Sequence, residues 1–242
     1  SIQGTLMEIN NKQYSNIFLY HLYFYLRVKE LIASSSPSEK PDISSSSYIL
    51  ELGGGYGGLA RIFAASSPQD KYIICDLPES LFFSFTFLQA NFPDKKIKLV
   101  ENESDDHEDF DIMVVPINYH SVLDKYSYKA IVNTASLQEM PDKSIRFWLQ
   151  KIKKLICKEG LFYSFNYFLN DNKFHMDISG EPMNESCLIL DSDWEIDLFR
   201  INPSLLIKDA EIRNWLEFSG TVNLQNRNNI ISELQNISDF TD

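Results

Sequence analysis

Acidic and imidazole side chains recur at the ends of apolar runs in this 242-residue chain. Glu51 stands two residues ahead of "GGGYGG", which puts five glycines into the six positions Gly53–Gly58. Asp76 closes the next apolar run, 23 positions after Gly53, and His120, Glu139 and His175 follow later runs. Each type suits a definite task. An acid ahead of a glycine turn favours a ligand ammonium and disfavours a pyrophosphate. An acid ending a neighbouring strand can accept hydrogen bonds from both hydroxyls of a ribose. A histidine or carboxylate beyond a strand end can take the proton of a hydroxyl that must become a nucleophile.

Residues so far apart in sequence converge only if regular elements carry them. "YILEL", "KYIICD", "FDIMVVP", "YKAIVNT" and "LFYSFNYF" read as strands, with "KIKLV" a shorter one. Between them "GLARIFAAS", "PESLFFSFTFLQANF" and "DKSIRFWLQKIKKLICKEG" read as helices, the last with Gly160 as its C-cap. This alternation predicts an α/β domain with a mostly parallel sheet. Towards the C-terminus "DWEIDLFRI" predicts a strand, "IKDAEIRNWLEF" a helix and "GTVNL" a closing strand, followed by a polar tail. Ahead of the sheet, residues 13–32 predict one ring-rich helix, and "ASSSPSEKPDISSSS" a loop. The expected organisation is therefore an N-terminal helix and Ser-rich linker over 1–47 and a ligand-binding domain over 48–242.

In sheets of this kind ligands lie beyond the carboxyl ends of the strands, near the point where strand order reverses. Glycines in the turn let backbone approach the ligand, and the next helix offers free N–H groups. Gly53, Gly55 and Gly58 also satisfy GxGxxG, the dinucleotide pattern. Glu51 argues against that reading. So does the absence, downstream of the turn, of the Tyr and Lys four apart that a short-chain dehydrogenase needs; Tyr25 and Lys29 lie upstream.

The net charge of −12 disfavours a nucleic-acid partner, which is bound through clustered Lys and Arg. Cys75, Cys157 and Cys187 form no CxxC pair, which fits a reducing, cytoplasmic setting. "IFLYHLYFYL" is too short to span a bilayer and is interrupted by His21. The "YHLYFYL" stripe packs as core or caps the ligand pocket as a lid. His107 lies in "ESDDHEDFD", read as a solvated acidic loop, although carboxylates there would suit Mg or Ca. No Cys- or His-based metal cluster is evident, and no metal is predicted.

Taken together, "ELGGGYGG" and "CDLPE" resemble the class I S-adenosylmethionine-dependent methyltransferases, and the resemblance implies their Rossmann-like doubly wound sheet. More narrowly, "ILELGGGYGGLARI", "DLPES" and "NTASLQEM" resemble sugar O-methyltransferases associated with bacterial surface-polysaccharide biosynthesis. The resemblance implies S-adenosylmethionine as cofactor, with Glu51 near the methionine ammonium. Gly53, Gly54, Gly55, Tyr56 and Gly57 would surround the methionine moiety, Asp76 would take the ribose hydroxyls, and Leu77 would flank the adenine. Pro116, Ile117 and Asn118 would line the adenine side, Asn118 standing where the family carries an acid, and Ser136 completes the cofactor set. Glu139, His120 and His175 are the candidate general bases. Asn133, Ser136, Gln138 and Asn166 could hold acceptor hydroxyls. The implied reaction is methylation of a hydroxyl on a small acceptor, a sugar or sugar nucleotide. Methylation of an amine or carboxylate, and a non-catalytic cofactor-binding partner, remain open at this level.

Overall fold

The computed structural model describes residues 6–34, 48–104, 109–167, 193–203 and 214–222. It opens with a hairpin, β1 (Leu6–Ile9) and β2 (Lys12–Ser15). Asn10 and Asn11 turn it at φ 53° and 61°, the left-handed pair that a two-residue hairpin loop requires. Helix α1 (Asn16–Ser34) follows. The strands β3 (Tyr48–Leu52), β4 (Lys71–Asp76), β5 (Ile97–Leu99), β6 (Ile112–Pro116), β7 (Tyr128–Thr134), β8 (Ile156–Tyr167), β9 (Trp194–Pro203) and β10 (Asn214–Val222) form one sheet. Their order is β5-β6-β4-β3-β7-β8-β10-β9. Neighbours from β5 to β8 are parallel, whereas β10 runs antiparallel to both β8 and β9. This is the expected Rossmann-like, doubly wound and mostly parallel sheet. Strand order reverses between β3 and β7, because β4 lies on one side of β3 and β7 on the other.

Helices α2 (Gly58–Ser66) and α3 (Pro78–Asn91) join α1 on one face, and α4 (Asp142–Leu155) covers the other. The period of two along each strand divides the side chains between these layers. Ile49, Tyr72 and Ile74 pack with α1, α2 and α3, whereas Leu50, Leu52, Ile73 and Cys75 pack with α4. Central strands covered on both faces must be apolar throughout, which is why "YILEL" and "YIIC" read as unbroken runs. Phe24 and Val28 bring α1 into the same core as the sheet, so the N-terminal helix is part of this layer. No helix among the described residues is long and apolar enough to cross a membrane.

Two expectations are corrected. Gly160 does not cap α4: the helix ends at Leu155 and β8 begins at Ile156. The ladder to β7 shifts between Tyr128 and Ala130, and Glu159 adopts φ 65° at this irregularity. A Cβ on Gly160 would stand 2.7 Å from the Tyr128 carbonyl oxygen, so glycine serves the close approach of two strands. In addition, Asn214–Phe218, read as the end of a helix, belongs to β10, which reaches Val222. Glu217 is fully buried there, and a polar letter at a buried strand position breaks the period-two pattern.

Candidate functional site

The carboxyl ends of β3, β4, β6 and β7 lie level with one another. Leu52 pairs with Cys75 and with Asn133, and Asp76 pairs with Pro116. Beyond them the chain turns sharply. Gly53 donates its N–H to the Cys75 carbonyl (2.9 Å) and adopts φ 76°, and a Cβ there would lie 2.1 Å from Ser136 Oγ. Two turns from different strands therefore interlock at this point. Gly57 precedes α2 as its left-handed N-cap, and Tyr56 is exposed.

Successive glycines meet the two acids. A Cβ on Gly54 would stand 3.3 Å from Glu51 Oε2, and the Gly55 N–H donates to Asp76 Oδ2 at 2.8 Å. Among the described residues, nothing beyond its own chain neighbours lies within 4 Å of the Gly55 Cβ position. Glu51 is buried beneath the turn, where Oε2 accepts the Tyr72 hydroxyl at 2.9 Å. Burial pushes its carboxyl up to about 8; the Tyr72 hydrogen bond opposes this, and the Asp76 charge adds to it. Asp76 is partly exposed and accepts a second N–H, from Leu77 (2.7 Å), at Oδ1. Its carboxyl is also raised by burial, against those two backbone hydrogen bonds. Leu77 and Asn118 are exposed, and Pro116 and Ile117 partly so, along the same rim.

The "NTASLQEM" turn is built by amides. Asn133 donates from Nδ2 to the Leu52 carbonyl (2.9 Å) and to Ser136 Oγ, and Ser136 Oγ donates to the same carbonyl at 3.1 Å. Asn166 Nδ2 donates to Asn133 Oδ1 and to Ser164 Oγ, each at 2.8 Å, while Asn166 Oδ1 accepts the Gln138 N–H. Asn133, Asn166 and Gln138 are buried, and their hydrogen bonds tie the turn to β3 and β8. The side chains of Asn133 and Asn166 are thus built into the scaffold. Ala135 takes φ 59° to make the turn.

Two of the three candidate bases lie within the described residues. Glu139 is exposed on the short 3₁₀ turn Leu137–Glu139, at the end of β7. His120 lies in the 3₁₀ segment Ile117–Lys125, with its ring against Phe147 and Trp148 of α4 (centroids 5.1 and 6.1 Å). Burial and the Lys151 charge lower its pKa. His175, and His107 of the acidic run, lie outside the described residues. Among the described residues no group of three or more His, Cys, Asp or Glu side chains is placed to hold a metal.

His21 is brought to the turn by α1. A Cβ on Gly58 would stand 2.4 Å from its ring, and Nδ1 lies 3.3 Å from the Tyr56 hydroxyl. Burial and the Arg61 charge pull its pKa down to about 4, leaving the ring neutral at pH 7. The Arg61 guanidinium lies over Phe18 (5.4 Å) and Phe87 (6.0 Å), and its Nε has no hydrogen-bond partner among the described residues. Of the readings open for the "YHLYFYL" stripe, core packing holds for Phe24, while His21 lies against Gly58. Tyr72 and Arg61 carried no sequence signal, because only strand register and helix placement bring them here.

No protein-family model and no curated protein matches the chain. Among solved structures, an O-methyltransferase family protein from Burkholderia thailandensis is 12% identical, the match covering 84% of this chain and 58% of that one with a TM-score of 0.49. Mitomycin 7-O-methyltransferase MmcR is 9% identical, with 81% and 54% covered and a TM-score of 0.47. PigF with SAH is 15% identical, with 73% and 51% covered and a TM-score of 0.42. The chain thus spans little more than half the length of these proteins. Likenesses this distant leave the chemistry to the residues themselves.

Proposed function

We propose that the chain is an S-adenosylmethionine-dependent methyltransferase acting on a hydroxyl of a small acceptor, a sugar or sugar nucleotide. One observation carries the cofactor reading: two acids flank one glycine turn, Glu51 under Gly54 and Asp76 bound by the Gly55 N–H, with space beyond Gly55 left open by the described residues. An aminoacyl nucleoside needs an acid for its ammonium, an acid for its vicinal hydroxyls and room between them, and this turn fits those needs.

Each oxygen of Asp76 accepts one backbone N–H and retains a further lone pair, which takes a ribose hydroxyl. Glu51 gives up its proton beside the ligand ammonium, since an adjacent cation favours the carboxylate. Gly53, Gly55, Tyr56 and Gly57 wall the methionine moiety, with Ser136 locking Gly53 from behind. Leu77, Pro116 and Ile117 offer the adenine an apolar flank, and Asn118 an amide for its exocyclic amine. When bound, the cofactor supplies a sulfonium-linked methyl group that an oxygen nucleophile displaces in line. The protein aligns the partners, excludes water and removes the hydroxyl proton. For the last step we favour Glu139, exposed at the end of β7, over His120, whose ring is packed on α4. The sugar class rests on the resemblance of "NTASLQEM".

Calorimetry with S-adenosylhomocysteine and with NADH tests the cofactor: binding of the first is expected, and binding of NADH alone overturns the reading. With sugar nucleotides as acceptors, Glu139→Ala is expected to lower turnover while S-adenosylhomocysteine affinity holds. Undiminished turnover in Glu139→Ala, His120→Ala and His175→Ala removes the general base.

A further inference from the structure

The side chain of Glu217, on β10, is fully buried and lies far in sequence from every residue of the glycine turn. Two side chains of α1 donate to it, Tyr23 from its hydroxyl (2.9 Å) and Arg27 from Nε (3.1 Å), and Tyr163 of β8 donates at 3.1 Å. Tyr23 and Arg27 are four apart and so share one face of the helix. Phe24 adds apolar contact on the same side, with Phe165 at 4.9 Å and Tyr163 at 6.3 Å between ring centroids.

Another face of α1 meets the turn and α2. Phe18 lies under the Arg61 guanidinium, His21 fills the space beside Gly58, and Tyr25 packs on Phe63 at 4.9 Å and approaches Ser67 Oγ at 3.3 Å. These positions follow the three-and-four spacing of a helix stripe. The two stripes belong to one rigid cylinder, so rolling or sliding α1 off Glu217 also moves His21 off Gly58.

Aromatic packing alone would hold α1 down, and a buried ion pair adds little adhesion over apolar side chains of similar size. What a carboxylate with convergent donors supplies is a single rotation and register, because hydrogen bonds are directional and ring contacts tolerate sliding. We propose that Glu217 is a positioning residue that clamps Tyr23 and Arg27, holds His21 against the glycine turn, and so sets how tightly that turn retains an aminoacyl nucleoside. The ligand part rests on the S-adenosylmethionine reading; the mechanical coupling of β10 to the turn does not.

The test compares wild type, Glu217→Gln, His21→Ala and the double variant. S-adenosylhomocysteine affinity and dissociation rate are measured well below the melting temperature, with amide hydrogen exchange over 16–34 and 53–58. Glu217→Gln is expected to weaken the ligand about fivefold, through faster dissociation, and to speed exchange at the amides of residues 54–58 in the ligand-free protein. In the His21→Ala background the same change is expected to add nothing, since the clamp acts through that ring. Tyr23→Phe removes one donor without altering charge, and gives the same pattern at smaller size should Glu217→Gln fail to fold. Unchanged affinity and turn exchange in a folded Glu217 or Tyr23 variant overturns the proposal, as does additivity of Glu217→Gln with His21→Ala. If wild type binds no S-adenosylhomocysteine, the cofactor reading falls, and exchange at residues 54–58 still decides the clamp.

Discussion

Glu51 and Glu217 are both buried in the sheet, and the protein treats their charge in opposite ways. Glu51 accepts a phenol, feels a second acid nearby, and among the described residues has no cation beside it; its proton is held up to about pH 8. Glu217 accepts two phenols and a guanidinium, and its charge is answered inside the fold. Depth of burial is the same, so depth does not separate a binding acid from a structural one. The separation lies in what each carboxyl still lacks. Glu51 lacks a positive charge, and a ligand can bring one.

The contrast is tested most strongly by removing each acid. Glu217→Ala takes a shared acceptor from Arg27, Tyr23 and Tyr163, and should cost about 3–5 kcal/mol, read as a lowered denaturation midpoint. Glu51→Gln should leave that midpoint nearly unchanged at pH 5, close to the acid's ordinary pKa, and instead weaken S-adenosylhomocysteine at pH 7 by about 1.5–3 kcal/mol, the worth of a hydrogen bond to a charged group. A large stability loss in Glu51→Gln would erase the distinction. Asp76→Ala should weaken the same ligand by about 1–3 kcal/mol, because the ribose hydroxyls and the Gly55 N–H lose one acceptor.

The same acid sets a dependence on pH. The folded-state pKa of Glu51, about 8, lies above its ordinary value of 4.5. The proton it holds favours folding fully below pH 4.5, and that contribution is lost as pH rises through 8. Glu51→Gln should therefore gain stability relative to wild type across that window, in denaturation series at pH 5 and pH 8. By the same linkage, an ammonium ligand binding to wild type at pH 7 should release a proton, seen as buffer-dependent calorimetric heat. Ala135→Gly should have the smallest effect, a gain of about 0.5–1 kcal/mol from relieving a left-handed alanine, with ligand affinity unchanged.

The parallel half of the sheet could be read from the sequence because each strand is a continuous apolar run bounded by turn residues, and "YILELGGGYGG" marks its own switch point. The antiparallel edge was harder. "NWLEFSGTV" carries its acid at a fully buried position, so its pattern breaks where Glu217 meets α1. Gly160 looked like a helix stop, yet it serves strand contact, since a glycine reports tolerance of close approach without naming the neighbour. Glu51 and Asp76 could be picked out as a pair from their spacing to the glycines. That Tyr72 meets Glu51 and that His21 meets Gly58 depends on strand register and on where α1 docks, and neither is written locally.

The amide lattice under "NTASLQEM" bears on how this scaffold can be diversified. Asn133 and Asn166 spend their hydrogen bonds on each other and on the backbone that ends β3, so a substitution there endangers the turn before it alters any preference for substrate. Asn118 and Glu139, by contrast, are exposed. Substitutions at such rim positions change cofactor binding or turnover and leave the buried amides, and the turn they hold, in place.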